Sequence, residues 1–318
     1  MRRQMIKFLS DKLMTRDFER RRKAIPYLKH EVKPLLEERV GEGTVGINRV
    51  GENCVVGCSQ LGFSFDSFDY LAEILEREGI SFIGLDYNGL RRTVQDFSRF
   101  DISNIEEDVN SVLDYAGREF GKTVLFGSCF GADVAYLSAM RNNLKVDGLI
   151  MHAPKAPMYP NELKEFLPKV FAIRHWGWRK VARALRGTDK ITLSEATGKN
   201  TFLGHMSSVL FEQGDIVKYL NRSPKRKRKD VPIELISGIY DRVVPFQHTR
   251  AVYERIRNDY GEDNISLREL EIDHYILSKK PEVLLDSVRR FVDSEKVEGE
   301  RIGSCQEPPT KVGGVFGS

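Results

Sequence analysis

The sequence predicts an α/β protein: a mostly parallel, doubly wound sheet with helices on both faces and a helical insert late in the chain. Three observations lead there. From Gly43 to Met151, short apolar runs alternate with amphipathic stretches of helical period. That rhythm breaks over residues 157–230 and resumes at Pro232. Between Lys122 and Met140, KTVLFGSCFGADVAYLSAM, an apolar run passes through Gly127-Ser128-Cys129-Phe130-Gly131 straight into a helical pattern with small residues on one side.

A chain of 318 residues, 41% hydrophobic and 30% charged, has room for one large α/β domain or two ordinary ones. No apolar stretch reaches the roughly 18 residues of a membrane span, and the N-terminus has no signal-peptide pattern. Cys54, Cys58, Cys129 and Cys305 show neither disulfide-framework nor zinc spacing. The expectation is a reducing cytoplasm.

Residues 1–40 read as a basic helix, with Met5, Phe8, Leu9 and Leu13 at helical spacing. They hold 12 Lys and Arg against 6 Asp and Glu, a net of +6. Two readings fit: a helix on a membrane surface, or one laid on the domain with its charges in water. The second is simpler. Thr44–Val50 and Asn53–Cys58 are strand runs split by Gly51-Glu52 in a hairpin-like connection. Asp66–Arg77 is an amphipathic helix with Phe68, Leu71, Ala72 and Leu75 on one face. Ile80–Leu85 is a buried-strand run. Ile102–Phe120 is a long helix with Ser103 near its start as N-cap. Thr123–Phe126 and Val146–Met151 are strands. Pro232–Ser237 and Ile265–Ile272 are strands, and Phe246–Arg257 and Pro281–Val292 helices. The expected organisation is a basic N-terminal helical extension (1–42), a core (43–156 and 231–294), a lid or cap insert (157–230) and a disordered polar tail (295–318).

Strand, glycine-bracketed turn and helix together make a nucleophile elbow. Its middle residue sits in a strained conformation, side chain exposed at the carboxyl end of the sheet. Here that residue is Cys129. The competing reading is a buried structural cysteine after a core strand. A nucleophile needs a base, and the base an orienting acid. In a doubly wound sheet these lie in loops at the carboxyl ends of strands. Pro232–Ser237 leads to Asp241, and Ile265–Ile272 to Asp273-His274. Asp241 is preferred as the acid, because neighbouring loop residues such as Asp273 and His274 rarely point at each other. Of the other histidines, His152 ends a strand near the elbow and is a pocket-lining candidate. His248 reads as a surface residue. His175 and His205 lie in the insert, and His30 in the N-terminal stretch. No pair has metal spacing, and no cofactor is called for.

The order Cys129, Asp241, His274 and the surrounding rhythm resemble the α/β-hydrolase superfamily over roughly residues 44–293. Phe65–Leu75, FDSFDYLAEIL, resembles the family's first helix after the oxyanion strand. Leu85–Thr93 resembles its D-x-x-G-x-G-x-S loop with the second glycine replaced. Gly238–Pro245 resembles the G-x-x-D-x-x-V-P loop that carries the acid, and residues 157–230 fall where the family places its lid. Dienelactone hydrolases, polyhydroxyalkanoate synthases and some thioesterases of this superfamily have G-x-C-x-G elbows. The resemblance implies a Cys129–His274–Asp241 triad and an acyl-thioester intermediate. The family's His-Gly oxyanion motif is absent; Ser59-Gln60-Leu61-Gly62 stands there. The oxyanion donors would be the N–H of Phe130 and that of Gln60 or Leu61.

The expected function is acyl hydrolysis, by an esterase, lactonase or thioesterase. The alternatives are an acyltransferase or polyester-synthase-like enzyme with the same triad, and a non-catalytic binding protein of the same fold. Residues 158–230 hold 16 Lys and Arg against 7 Asp and Glu, a net of +9. Such a basic lid favours an anionic donor, for example a CoA- or acyl-carrier-protein-linked acyl group. Trp176 and Trp178 are candidates to line the acyl pocket. The run Lys225–Lys229 is most simply a solvated loop, and no nucleic-acid module accompanies it.

Overall fold

A computed structural model of the chain describes residues 35–40, 43–60, 65–87, 102–141, 145–155, 216, 230–261 and 263–293. These build one eight-stranded sheet. In chain order the elements are β1 (Leu36–Val40), β2 (Gly43–Asn48), β3 (Asn53–Cys58), a 3-10 turn (Phe65–Phe68), α1 (Asp69–Arg77), β4 (Ile80–Asp86), α2 (Ile102–Glu119), β5 (Thr123–Ser128), α3 (Phe130–Arg141), β6 (Gly148–His152), β7 (Ile233–Gly238), α4 (Phe246–Tyr260), β8 (Ile265–Leu270), α5 (Ile276–Lys279) and α6 (Glu282–Val292). The strand order is β1-β2-β4-β3-β5-β6-β7-β8. The β1–β2 and β2–β4 pairings are antiparallel, and all others parallel.

Strand side chains alternate between the two faces. Val56, Leu125, Leu149 and Leu235 join the cluster under α2, α3 and α4. Val55, Phe126, Ile150 and Ile236 join the cluster under α1, α5 and α6. Central strands buried on both faces explain why the sequence shows unbroken apolar runs there rather than polar–apolar alternation.

Two sequence readings are corrected. Leu36–Val40, expected as the end of a basic helix, is strand β1, so the sheet begins before residue 43. Leu-Glu-Glu-Arg is a good helix former, but pairing along all of β2 overrides that local preference. Arg49 also clamps Glu38 with two hydrogen bonds of 2.7 and 2.8 Å. Secondly, β2 and β3 are not a hairpin. β4 lies between them, antiparallel to one and parallel to the other. The hairpin partner of β2 is β1.

The order β4-β3-β5 puts a topological switch point at the centre of the sheet. After β3 the chain crosses toward α1 on one face; after β5 it enters α3 on the other. In open α/β sheets, ligands bind outside the carboxyl ends of the strands at such a point. Gln60 follows β3 and Cys129 follows β5.

Candidate active site

Cys129 has φ of 55°, the left-handed region that a side chain disfavours. Its N–H donates to the His152 carbonyl at 2.8 Å, and its own carbonyl accepts from Ala132 N–H at 2.9 Å. The two bracketing glycines are required by contact. A Cβ on Gly127 would lie 2.2 Å from the Gly131 carbonyl oxygen, and one on Gly131 would lie 2.1 Å from that of Cys58. β3, β5 and α3 thus meet backbone to backbone at the elbow. α3 is buried from Phe130 to Met140, which accounts for its run of small and apolar residues. Its N-terminus begins at the residue after Cys129. Cys129 is only partly buried, whereas Cys54 and Cys58 lie fully inside, and burial pushes those two thiols well up.

The exit of β7 is built to hold a carboxylate. Asp241 Oδ1 accepts the N–H groups of Val243 at 2.7 Å and Val244 at 2.8 Å. Tyr240 N–H reaches the Ile272 carbonyl, tying this loop to the exit of β8. A side chain at Gly238 would press its Cβ to 2.6 Å from the same carbonyl. With Oδ1 occupied, Oδ2 is left for His274 Nδ1 at 2.7 Å. Asp273 turns away to accept the Tyr275 N–H. Burial works against the His274 cation. The charge of Cys129 and hydrogen bonds to Asp241 and Cys129 outweigh it, and the pKa is raised to about 10. The structure therefore brings Cys129, His274 and Asp241 together from three separate strand ends.

The remaining candidates divide. Phe130 opens α3, with its ring edge-on to Tyr87 at 5.8 Å. Gln60 is buried, and its side-chain Nε2 donates to Ser128 Oγ at 2.8 Å. His152 is fully buried with Nδ1 2.8 Å from Ser128 Oγ, and its ring stands 6.0 Å from that of His274. Burial first, then the neighbouring His274 charge, lowers the His152 pKa to about 3; Asp241 and Asp273 offset this only in part. Leu61, Trp176 and Trp178 lie outside the described residues, as do His30, His175 and His205. His248, expected at the surface, is buried, because it faces inward from the first turn of α4.

Two features escaped the sequence reading. Ser128 has no signature of its own, because the elbow pattern singles out its neighbour. Lys155, just past β6, puts Nζ 3.7 Å from the buried Asp133 carboxylate of α3. That link fastens the elbow helix to the strand carrying His152. No local pattern signals either, since their partners are 24 and 22 residues away.

Residues 52–264 match the family described as serine aminopeptidase, S33. The chain belongs to that family. Within this S33-family chain the match runs from just before β3 to the residue before β8, so it takes in Cys129 and Asp241 and stops short of His274. No curated protein matches the chain. Among solved structures, a soluble variant of monoglyceride lipase from Saccharomyces cerevisiae is similar at 15% identity and a TM-score of 0.57, over 85% of this chain and 99% of that one. An esterase from Exiguobacterium antarcticum aligns at 16% identity and a TM-score of 0.56, covering 82% and 99%. An epoxide hydrolase from Vigna radiata aligns at 14% and 0.56, covering 83% and 98%. Likeness at this level establishes the fold. The S33-family chain is an α/β-hydrolase enzyme, and it carries cysteine at the centre of its elbow.

Proposed function

We propose that the protein is an acyl hydrolase, acting as an esterase, lactonase or thioesterase, with Cys129 as nucleophile, His274 as proton carrier and Asp241 as orienting acid. The observation that carries this reading is the elbow itself: Cys129 at φ 55°, beside an imidazole whose protonated form is favoured by Cys129 and Asp241 together. His274 takes the proton of Cys129 Sγ, and the thiolate is the attacking form. Sγ attacks the substrate carbonyl carbon, and the charge passes to the carbonyl oxygen, facing the N–H groups of Phe130 and of Gln60 or Leu61. Collapse breaks the bond to the leaving oxygen or sulfur, which takes its proton from His274. Water then attacks the acyl-thioester, giving its proton back to His274, and Sγ departs as thiolate. An alcohol in place of water turns the same cycle into acyl transfer. The neighbours named as esterase and lipase support ester substrates. The basic insert supports an anionic donor such as an acyl-CoA or acyl-carrier-protein ester, and the free thiols of Cys54, Cys58 and Cys129 fit a reducing cytoplasm.

A second reading has one observation in its favour. Ser128 Oγ and His152 Nδ1 are hydrogen-bonded, and the family description names a serine enzyme. Against it, Ser128 is fully buried in β5, and no carboxylate among the described residues accepts a hydrogen bond from His152. Intact-protein mass spectrometry after exposure to p-nitrophenyl esters and acyl-CoAs decides between them. The proposal expects one acyl adduct, located on Cys129 by peptide mapping. An adduct on Ser128 would replace it with the serine reading. A donor-dependent adduct that clears faster with added alcohol would indicate transfer.

A further inference from the structure

Among the described residues, His152 is the histidine near the elbow that the proposed cycle leaves without a task. Gln60 Nε2 donates to Ser128 Oγ, and among the described residues His152 Nδ1 is the one acceptor bonded to that hydroxyl, so the Ser128 proton donates to it. A neutral ring that accepts at Nδ1 carries its hydrogen on Nε2. That Nε2 is fully buried and has no hydrogen-bond partner among the described residues. A buried donor without an acceptor is costly and uncommon. The ring lies beside that of His274, 6.0 Å between centroids, and its own carbonyl holds the Cys129 N–H. The next residue, Ala153, is the other non-glycine residue of positive φ among those described, at 49°. Strained backbone thus follows both β5 and β6 at their carboxyl ends.

We infer that His152 is a substrate-binding residue of this site, a ring pinned by Ser128 that offers Nε2–H to an acceptor atom on the leaving-group side of the acyl substrate. The side follows from its neighbour: His274 delivers the leaving group's proton, and the two rings stand 6.0 Å apart. Burial and the adjacent His274 charge keep the ring neutral, so it serves as a donor and not as a second base. The inference rests on the Cys129 reading, and it implies selectivity for leaving groups bearing an oxygen close to the scissile bond.

The test compares two esters with one acyl group, a 2-methoxyethyl ester and its n-butyl isostere. The wild-type enzyme should favour the methoxyethyl ester about tenfold in kcat/KM. His152→Phe should erase that preference, and His152→Gln, whose amide N–H reaches the Nε2 position, should keep part of it. If neither ester acylates Cys129, the underlying reading fails. If both acylate it, and His152→Phe leaves their ratio unchanged or wild type shows no preference, the inference alone is overturned. Nitrogen-15 NMR of histidine-labelled wild type does not depend on the variants folding. It should show His152 with pyridine-like Nδ1 and protonated Nε2. The opposite tautomer would sink the proposal.

Discussion

Two hydroxyl- or thiol-bearing residues, Ser128 and Cys129, stand next to each other, and each is matched with a histidine from a later strand. The histidines are close neighbours and both are buried, yet their charges are pushed opposite ways. His274 has Asp241 on Nδ1 and Cys129 beside it, and its pKa rises to about 10. His152 has a neutral serine on Nδ1 and a cationic neighbour, and its pKa falls to about 3. Burial alone would depress both. Partner charge decides which of two similar rings carries a proton at neutral pH.

The sharpest way to break this comparison is to remove the two side chains in turn. Cys129→Ala should cut kcat/KM for p-nitrophenyl esters by about 10⁴-fold or more, while the fold survives by circular dichroism. Ser128→Ala should leave acylation on Cys129 intact and lower the rate far less. The reverse ranking would move the chemistry to Ser128.

The Asp241–His274 pair comes next. Asp241→Asn and His274→Ala should each lower kcat/KM by about 10²–10⁴-fold. The double variant should be little worse than the worse single one, because residues acting as a unit lose activity non-additively. Multiplying losses would show that the two act separately.

Gly131→Ala tests the elbow without touching either histidine. The new Cβ meets the backbone oxygens of Cys58 at 2.1 Å and Ser59 at 2.6 Å, and backbone cannot swing aside as a side chain can. Stability in urea should fall by about 3 kcal/mol or more, with activity lost at temperatures where the variant is still folded. A wild-type midpoint would mean that β3 and α3 are not locked together as described.

The smallest effects are the pH slopes. His274 has its folded pKa above the ordinary 6.5, so its stabilisation is complete below about 6.5 and is lost as pH rises toward 10. His152 has its folded pKa below 6.5, so its neutral form destabilises the fold as pH drops from 6.5 toward 3. Each limb should steepen by up to about 1.4 kcal/mol per pH unit. Urea titrations should find the alkaline limb flattened in His274→Gln and the acid limb in His152→Gln. Identical slopes in both variants would remove the electrostatic contrast.

Local chemistry made much of this legible in advance. The elbow could be read because a sharp strand-to-helix turn requires glycine at Gly127 and Gly131. The strands could be read because a parallel sheet covered on both faces demands long apolar runs. Asp241 could be named because it follows such a run, and His274 because it follows the half-exposed edge strand β8. Three matters had no local signature. Leu36–Val40 carries a helix-forming sequence and becomes a strand only because β2 is there to pair with it. β2 and β3 look like a hairpin until β4 inserts between them. The Gln60–Ser128–His152 chain joins residues up to 92 positions apart, at the ends of three strands that become neighbours only in the folded sheet. Sequence by itself determined which residues could do chemistry, since that depends on side-chain type and the turn beneath it. Tertiary structure alone decided which of two histidines is charged, because that depends on desolvation and on the partner that strand order delivers.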